Sequence, residues 1–290
     1  MNGQNDTSTE AMSGSARTAP VAITVAPNGG RKTKADHPAL PMTAGELADC
    51  AEACLSASAS MIHLHVRDDQ GRHVLDAGLY RAAIEAIRAR VGDRMVIQIT
   101  TEALGVYTPE EQVALVRAVR PEAVSLALRE LAPGPEHERA LENLLIWMRK
   151  ERVFPQIILY DRHDQERLSA LLARGVIPAD DIDVLYVLGR YTASQQSEPA
   201  DLIPFLMPGS HRFASWSTCA FGMQEAACVT ASALLGGHIR IGFENNMHLP
   251  DGTVASSNAA LIQPVAESLH ALGLKLATAD TLRERLTAIW

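Results

Sequence analysis

The sequence is poor in the features that mark secreted, membrane-bound or nucleic-acid-binding proteins. Its four cysteines, at positions 50, 54, 219 and 228, form no Cys-x-x-Cys pair, so a zinc knuckle is not indicated and a reducing cytosol is expected. No run approaches the roughly 18 apolar residues that span a bilayer. The net charge of −8 offers no basic surface for nucleic acid or an anionic membrane. We therefore expect a cytoplasmic protein with neither kind of partner.

The amino-terminal segment differs in composition from the rest of the chain. Its residues are small and polar, and they contain no apolar segment of a secretory signal. We expect residues 1–19 to form a disordered tail and residues 20–290 to form one domain. This length is compatible with an α/β barrel, which typically has about 250 residues.

Apolar, β-branched segments alternate with amphipathic segments along the remaining chain. Eight of the apolar segments are predicted strands: 21–27, 61–66, 94–100, 122–128, 153–160, 183–189, 212–217 and 238–243. Five intervening segments are predicted helices: 43–57, 77–91, 109–120, 136–151 and 164–175. The proline-rich connection after the sixth strand is the poorest helix candidate. The pattern favours a single (β/α)8 TIM barrel over an open doubly wound sheet, and the lack of a Gly-x-Gly-x-x-Gly motif after the first strand weakens a dinucleotide-binding alternative.

Three side chains at predicted strand ends form a candidate metal site. His63 and His65 flank Leu64 near the end of the second strand, so both imidazoles project from one face. Glu244 follows the eighth strand, which neighbours the first and second in a closed barrel, and active sites of this fold lie at the carboxyl ends of the strands. Two histidines and one glutamate suffice for a catalytic Zn²⁺, although they also serve Fe(II). The alternative is that the histidines are only polar core or edge residues.

Six motifs together resemble the β-keto acid cleavage enzyme family. The resemblance covers residues 21 to about 286, and its motifs are TKADHPALPMT, IHLHVRDDQGRH, IQITT, VLG, GGHIRIGFENN and SSNAALI. It implies a Zn²⁺-dependent TIM barrel that exchanges an acyl group between a β-keto acid and acetyl-CoA, giving acetoacetate and a new acyl-CoA. It also implies His63, His65 and Glu244 as the Zn²⁺ ligands and a homotetramer as the assembly.

The resemblance assigns further residues to the site. Arg240 matches an arginine that would orient the substrate or stabilise developing oxyanions; a salt bridge at the barrel rim is the alternative. Thr100 and Ser125 match hydroxyl positions that would hydrogen-bond the substrate, although hydroxyls at strand ends often act only as caps. Asn245 and Ile158 stand where better-known members carry carboxylates around the arginine. Neither can act as a base, and we expect Asn245 to contact the substrate instead.

Two glutamates are candidates to replace the missing carboxylates. Glu102 follows the third strand and Glu130 follows the fourth, so both are predicted on the catalytic face. Our hypothesis is that one of them restores a carboxylate near Arg240 and acts in proton transfer. The alternative is that each only pairs with a rim arginine such as Arg129.

Arg31 aligns with a glutamate that the aminohexanoate enzyme of the family uses for the ammonium group of its substrate. A guanidinium there would repel a cationic substrate and pair with a carboxylate. We therefore expect an anionic or neutral β-keto acid. Alternatively, Arg31 faces solvent beside Lys32 and Lys34, and these basic residues could also meet the phosphates of CoA.

Two other functions remain open at this point. One is a metal-dependent retro-aldol lyase that needs no acetyl-CoA, and the other is a zinc-binding homologue that has lost the chemistry. A requirement for acetyl-CoA separates the first from the cleavage enzyme, and turnover separates the second.

Overall fold

Eight parallel strands close into a barrel in chain order. The computed structural model describes residues 19–290, and the first 18 residues of the predicted tail lie outside the described part. The strands are β1 (Ile23–Val25), β2 (Met61–Leu64), β3 (Val96–Thr100), β4 (Ala123–Ala127), β5 (Phe154–Leu159), β6 (Asp183–Leu188), β7 (Trp216–Ala220) and β8 (His238–Ile241). β8 pairs with β1, so the sheet has no free edge. The predicted TIM barrel is confirmed.

The described helices connect the strands or follow the last one, and in six of the ten the residue before the helix caps the first turn with its side chain. They are α1 (Ala44–Ser56), α2 (Ala77–Val91), α3 (Pro109–Val119), α4 (Leu128–Leu131), α5 (Glu138–Glu151), α6 (Arg162–Ala173), α7 (Ile203–Leu206), α8 (Glu225–Leu234), α9 (Asn258–Ala271) and α10 (Ala279–Ile289). At the start of α1, Thr43 accepts from the backbone of Glu46, and the carboxylate of Glu46 accepts from the backbone of Thr43. None of the described helices has the length and apolarity needed to cross a membrane.

The seventh strand begins four residues later than predicted and ends three residues later. We expected residues 212–217, because Phe213 and Trp216 give that segment its bulky apolar signal, but β7 is Trp216–Ala220. The last two residues of β7, Cys219 and Ala220, carry little strand signal of their own, and pairing of five consecutive residues with β6 determines the position of the strand. The connection before it contains only a 3₁₀ turn at Pro199–Leu202 and the one-turn helix α7, in agreement with its weak helix pattern.

The two ends of the barrel differ in what covers them. At the amino ends of the strands, α10 packs Ala279, Leu282 and Leu286 against apolar residues that include Met61 and Val96. This apolar layer seals that end, and a pocket lies at the carboxyl ends of the strands. The barrel interior between the two ends carries buried polar side chains: Thr24, Gln98, Gln156, Asp183, Ser217 and His238.

Candidate active site

His63, His65 and Glu244 converge at the base of the pocket. The Nε2 atoms of His63 and His65 lie 3.6 and 3.5 Å from Oε2 of Glu244, and one ligand atom from each residue lies within 4.8 Å of the others. β2 supplies His63, His65 comes one residue after that strand, and Glu244 follows β8. The adjacency of β8, β1 and β2 thus brings these three side chains together, as the barrel topology predicts.

The chemistry of these side chains fits a divalent metal ion. Nε2 of His65 and Oε2 of Glu244 are buried and have no hydrogen-bond partner among the described residues, whereas buried polar atoms are normally paired. Burial lowers the pKa of His63 to about 4 and that of His65 to about 3, so both imidazoles are neutral and carry a free lone pair. A cation between them would satisfy all three ligand atoms.

The second nitrogen of each histidine also has a defined neighbour. Nδ1 of His63 lies 2.8 Å from the amide oxygen of Gln98 on β3. Nδ1 of His65 lies 3.4 Å from Nδ1 of His73 and 3.7 Å from a carboxylate oxygen of Glu102. Such partners orient metal-binding imidazoles and select their tautomer.

The turn that carries Glu244 is held by a buried carboxylate that the sequence did not single out. Glu225, at the start of α8, accepts hydrogen bonds from the backbone N–H of Gly242 and from the side-chain amides of Asn245 and Asn246. Burial raises the pKa of Glu225 to about 8, although these donors oppose the change. An acidic residue in the first turn of a helix is common, so its sequence context gives no sign of this role.

The same turn requires a glycine and receives a lysine. Gly242 has φ of +150°, and a Cβ there would lie 2.2 Å from the carbonyl oxygen of Ala26 on the neighbouring strand connection. Nζ of Lys32 donates to the carbonyl oxygens of Phe243 at 2.6 Å and Glu244 at 3.1 Å. These contacts fix the backbone from which the Glu244 carboxylate projects.

Arg240 is buried beside the candidate metal ligands. Its Nη2 lies 3.0 Å from Oε1 of Glu244, 3.2 Å from Sγ of Cys219 and 3.3 Å from Oδ1 of Asn245. Burial alone would raise the pKa of Glu244, but Arg240 and the histidines hold it well below its ordinary value. Arg240 therefore keeps Glu244 ionised, and Asn245 contributes an amide oxygen at the position where the sequence lacks a carboxylate.

The two predicted hydroxyl residues pair with each other at the pocket wall. Thr100 and Ser125 are opposite in the register of β3 and β4, and their side-chain oxygens are 3.4 Å apart. Thr100 also accepts from the backbone N–H of Glu102 at 3.1 Å, which is the local cap that its position at a strand end made possible. Both residues line the pocket.

Glu102 and Glu130 both lie in the pocket, but neither hydrogen-bonds Arg240 within the described part of the chain. Glu102 lies 3.3 Å from Arg190, and Glu130 accepts from the backbone N–H of Ala103 at 2.9 Å. Burial and the charge of Glu244 raise the pKa of Glu102 to about 7, and burial raises the pKa of Glu130 above its ordinary value.

The arginine expected as an alternative partner of these glutamates is engaged elsewhere. Arg129 pairs with Asp161 and Asp164. Arg190 pairs with Glu102 instead, and its guanidinium lies over the ring of Phe221 at 5.2 Å. Sequence reasoning missed Arg190, although it follows the VLG motif at the end of β6 and its position after a barrel strand could have marked it.

The remaining pocket wall is apolar. The pocket has an empty volume of about 390 Å³, and its wall away from the histidines consists of Ala127, Ile158, Tyr160, Val187 and Phe221. Arg31 lies outside this wall, exposed in an adjoining depression that shares Glu102, Arg190 and Glu244 with the pocket. Arg31 thus stands at the mouth, and among the described residues it forms no ion pair.

Comparison with known proteins identifies the family. A model described as beta-keto acid cleavage enzyme matches residues 20–287. The chain belongs to the beta-keto acid cleavage enzyme family. This family member is similar to the 3-keto-5-aminohexanoate cleavage enzyme of Fusobacterium nucleatum, with 30% identity over 270 residues that cover 91% of this chain and 97% of the relative. It is also similar to the 3-oxoadipate:acetyl-CoA acetyltransferase of Cupriavidus necator, with 27% identity, 93% of this chain and 95% of the relative covered.

Solved structures support the fold of this family member. The apo structure of ObcA matches 86% of the chain with a TM-score of 0.66 and 16% sequence identity, and the chain spans 66% of the length of ObcA. At this identity the likeness shows the barrel fold alone. The resemblance inferred from the sequence motifs is confirmed by the family match.

Proposed function

We propose that this protein is a metal-dependent β-keto acid cleavage enzyme, which transfers an acyl group between a β-keto acid and acetyl-CoA. The observation that carries the proposal is the convergence of His63, His65 and Glu244 at the base of a pocket in a member of this family. Within residues 19–290, Nε2 of His65 and Oε2 of Glu244 are buried without a hydrogen-bond partner. The ligand set suits Zn²⁺. Relatives with acetyl-CoA in their names support the co-substrate.

A divalent cation held by these residues would supply Lewis-acid stabilisation of negative charge on the oxygens of a β-keto acid. Side chains of the protein would assist the remaining steps. Loss of a C2 proton makes that carbon a nucleophile for the thioester carbonyl of acetyl-CoA. Attack of the released CoA thiolate on the keto carbon then cleaves the bond to C2 and gives a new acyl-CoA. The enolate that leaves regains the proton at C2 and becomes acetoacetate.

We assign proton acceptance to Glu102, with Glu130 as the second candidate. Glu102 lies in the pocket within 3.7 Å of His65, close to where the substrate would be bound. Arg240 would donate N–H groups to developing oxyanions. Thr100 and Ser125 would donate hydroxyl hydrogens to the substrate carboxylate.

Glu102 could instead only orient His65, and two measurements separate these roles. A proton acceptor typically raises the reaction rate by a factor of about 10² to 10⁴. Glu102→Gln should therefore lower kcat by at least about 100-fold, while the Zn²⁺ affinity changes little. A purely orienting role would weaken metal binding without so large a loss of kcat. Glu130→Gln serves as the matched variant, and full turnover of both variants would contradict the assignment.

The charges at the mouth favour an anionic or neutral substrate. Glu102 is engaged by Arg190, and Glu130 by the backbone of Ala103, whereas Arg31 is free of ion pairs within residues 19–290. Ile158 makes the inner wall apolar where a carboxylate would attract a cation. An ammonium group at the mouth would therefore meet the charge of Arg31, whereas Glu102 and Glu130 each already have a partner.

The test is product analysis of the zinc-loaded protein with acetyl-CoA and a panel of cationic, neutral and anionic β-keto acids. Acetoacetate together with one new acyl-CoA is the expected result, with Arg31→Glu shifting preference towards cationic substrates. Lys150→Glu, at the far end of α5, makes the same change in net charge and should not shift it. Loss of β-keto acid without acyl-CoA would indicate the retro-aldol lyase, and binding without turnover would indicate the non-catalytic homologue.

A further inference from the structure

A chain of buried hydrogen bonds runs from His63 through the barrel interior to its opposite end. Nδ1 of His63 lies 2.8 Å from Oε1 of Gln98, and Nε2 of Gln98 donates to Oε1 of Gln156 at 3.3 Å. Nε2 of Gln156 donates to Oδ2 of Asp183 at 2.6 Å, and the hydroxyl of Ser215 donates to Oδ1 of the same carboxylate. All five side chains are buried, so these bonds are shielded from bulk solvent.

The strand register explains how the chain crosses the barrel. His63 is opposite Gln98 on β2 and β3, and Gln156 is opposite Asp183 on β5 and β6. Between these pairs, β4 contributes only the small side chains of Ala123 and Ser125, which leave room for the two glutamines to meet. Asp183 is the first residue of β6 and therefore lies near the sealed end.

Asp183 sets the direction of donation along this series of hydrogen bonds. A carboxylate oxygen facing an amide accepts a hydrogen, whereas a glutamine side chain has one donor end and one acceptor end. Asp183 therefore turns the nitrogen of Gln156 towards itself, which directs the oxygen of Gln156 to Gln98. The same constraint directs the oxygen of Gln98 to His63.

The orientation of the Gln98 amide determines the tautomer of the His63 imidazole. Because Gln98 presents an oxygen, Nδ1 of neutral His63 must carry the hydrogen, and Nε2 must carry the lone pair that faces Glu244. With the chain reversed, Nε2 would be protonated and could not bind a metal ion.

We propose that Asp183, acting through Gln156 and Gln98, is a positioning residue that holds His63 in the tautomer able to bind metal. The inference rests on the proposed metal-dependent function. It concerns residues that lie outside the pocket and touch neither substrate nor metal, so their effect on His63 passes only through the amide orientations.

Two variants give opposite expectations. Gln156→Lys places a donor-only group between Gln98 and Asp183, so the amide of Gln98 turns and its nitrogen faces His63. The double variant Gln156→Glu with Asp183→Asn moves the carboxylate one position along the chain. The new carboxylate still accepts from Gln98, and the new amide at position 183 donates to it and accepts from Ser215. This variant keeps the original direction.

The first readout is the tautomer of His63 in metal-free protein, from long-range ¹H–¹⁵N NMR of histidine-labelled samples, with His63→Ala identifying the signal. The second is Zn²⁺ affinity from competition with a chromophoric chelator. Wild type and the double variant should show hydrogen on Nδ1 and affinities that agree within about threefold. Gln156→Lys should move the hydrogen to Nε2 and weaken Zn²⁺ binding about 10- to 100-fold, the range for such outer partners.

The outcomes separate this inference from the proposed function. If Gln156→Lys does not fold, Gln156→Met frees the amide of Gln98, and a mixed tautomer signal is then expected. A wild-type protein that binds no Zn²⁺ would refute the metal-dependent function. The NMR signal would still test whether Asp183 sets the tautomer of His63. An Nδ1-protonated His63 in every variant, with unchanged Zn²⁺ affinity, would overturn the inference.

Discussion

Glu225 should make the folded protein less stable as the pH rises through neutrality. Glu225 is 1% exposed, and burial raises the pKa of its carboxyl group to about 8, whereas a glutamate in an unfolded chain has a pKa of about 4.3. Between about pH 5 and pH 8 the folded protein therefore retains a proton that the unfolded chain releases. The favourable contribution is present at low pH and is lost as the pH rises, at about 1.4 kcal/mol per pH unit.

The measurement is urea unfolding of metal-free wild type and Glu225→Gln in the presence of chelator. From about pH 5.5 to 7.5, the free energy of unfolding of wild type should fall by about 2 to 3 kcal/mol relative to the variant. Glu85→Gln, on the exposed face of α2, is the control and should run parallel to wild type. If Glu225→Gln also runs parallel, Glu225 is ionised in the folded protein, and the argument from burial fails.

Three further predictions concern the site and its support. Gly242→Ala should lower the free energy of unfolding by about 3 kcal/mol, because the new Cβ would lie 2.2 Å from the carbonyl oxygen of Ala26. An unchanged Tm in thermal unfolding would contradict this. Tyr80→Phe should lower the free energy of unfolding by about 1 kcal/mol, because the buried hydroxyl donates to the carbonyl oxygen of Thr100 at 3.1 Å. Zn²⁺ at 100 times its Kd should stabilise wild type by about 2.7 kcal/mol in urea unfolding, and His65→Ala should abolish that gain.

The barrel could be predicted because its signals are local. Buried parallel strands need continuous apolar segments, and seven of the eight observed strands lie wholly within the predicted segments. β7 was misplaced because its last two residues, Cys219 and Ala220, are small and carry little strand signal. The position of β7 depends on its pairing with β6, whose residues are distant in the sequence.

The candidate metal ligands could be predicted because barrel topology relates distant residues. Strand adjacency alone brings Glu244 to the two histidines. Glu225, Arg190 and Gln98 reach the site by long side chains from positions with ordinary sequence contexts. Only the packed structure reveals which direction those side chains take.

The asparagine beside Arg240 raises the question of where a proton acceptor can stand. Nδ2 of Asn245 lies 3.3 Å from the carboxylate of Glu225, and its Oδ1 lies 3.3 Å from Arg240. An aspartate at position 245 would face Glu225 with one oxygen and Arg240 with the other, leaving neither free for substrate. We therefore expect Asn245→Asp not to restore the turnover lost in Glu102→Gln, as measured by acyl-CoA formation. Recovery to within about tenfold of wild type would place the acceptor beside Arg240 and refute the role of Glu102.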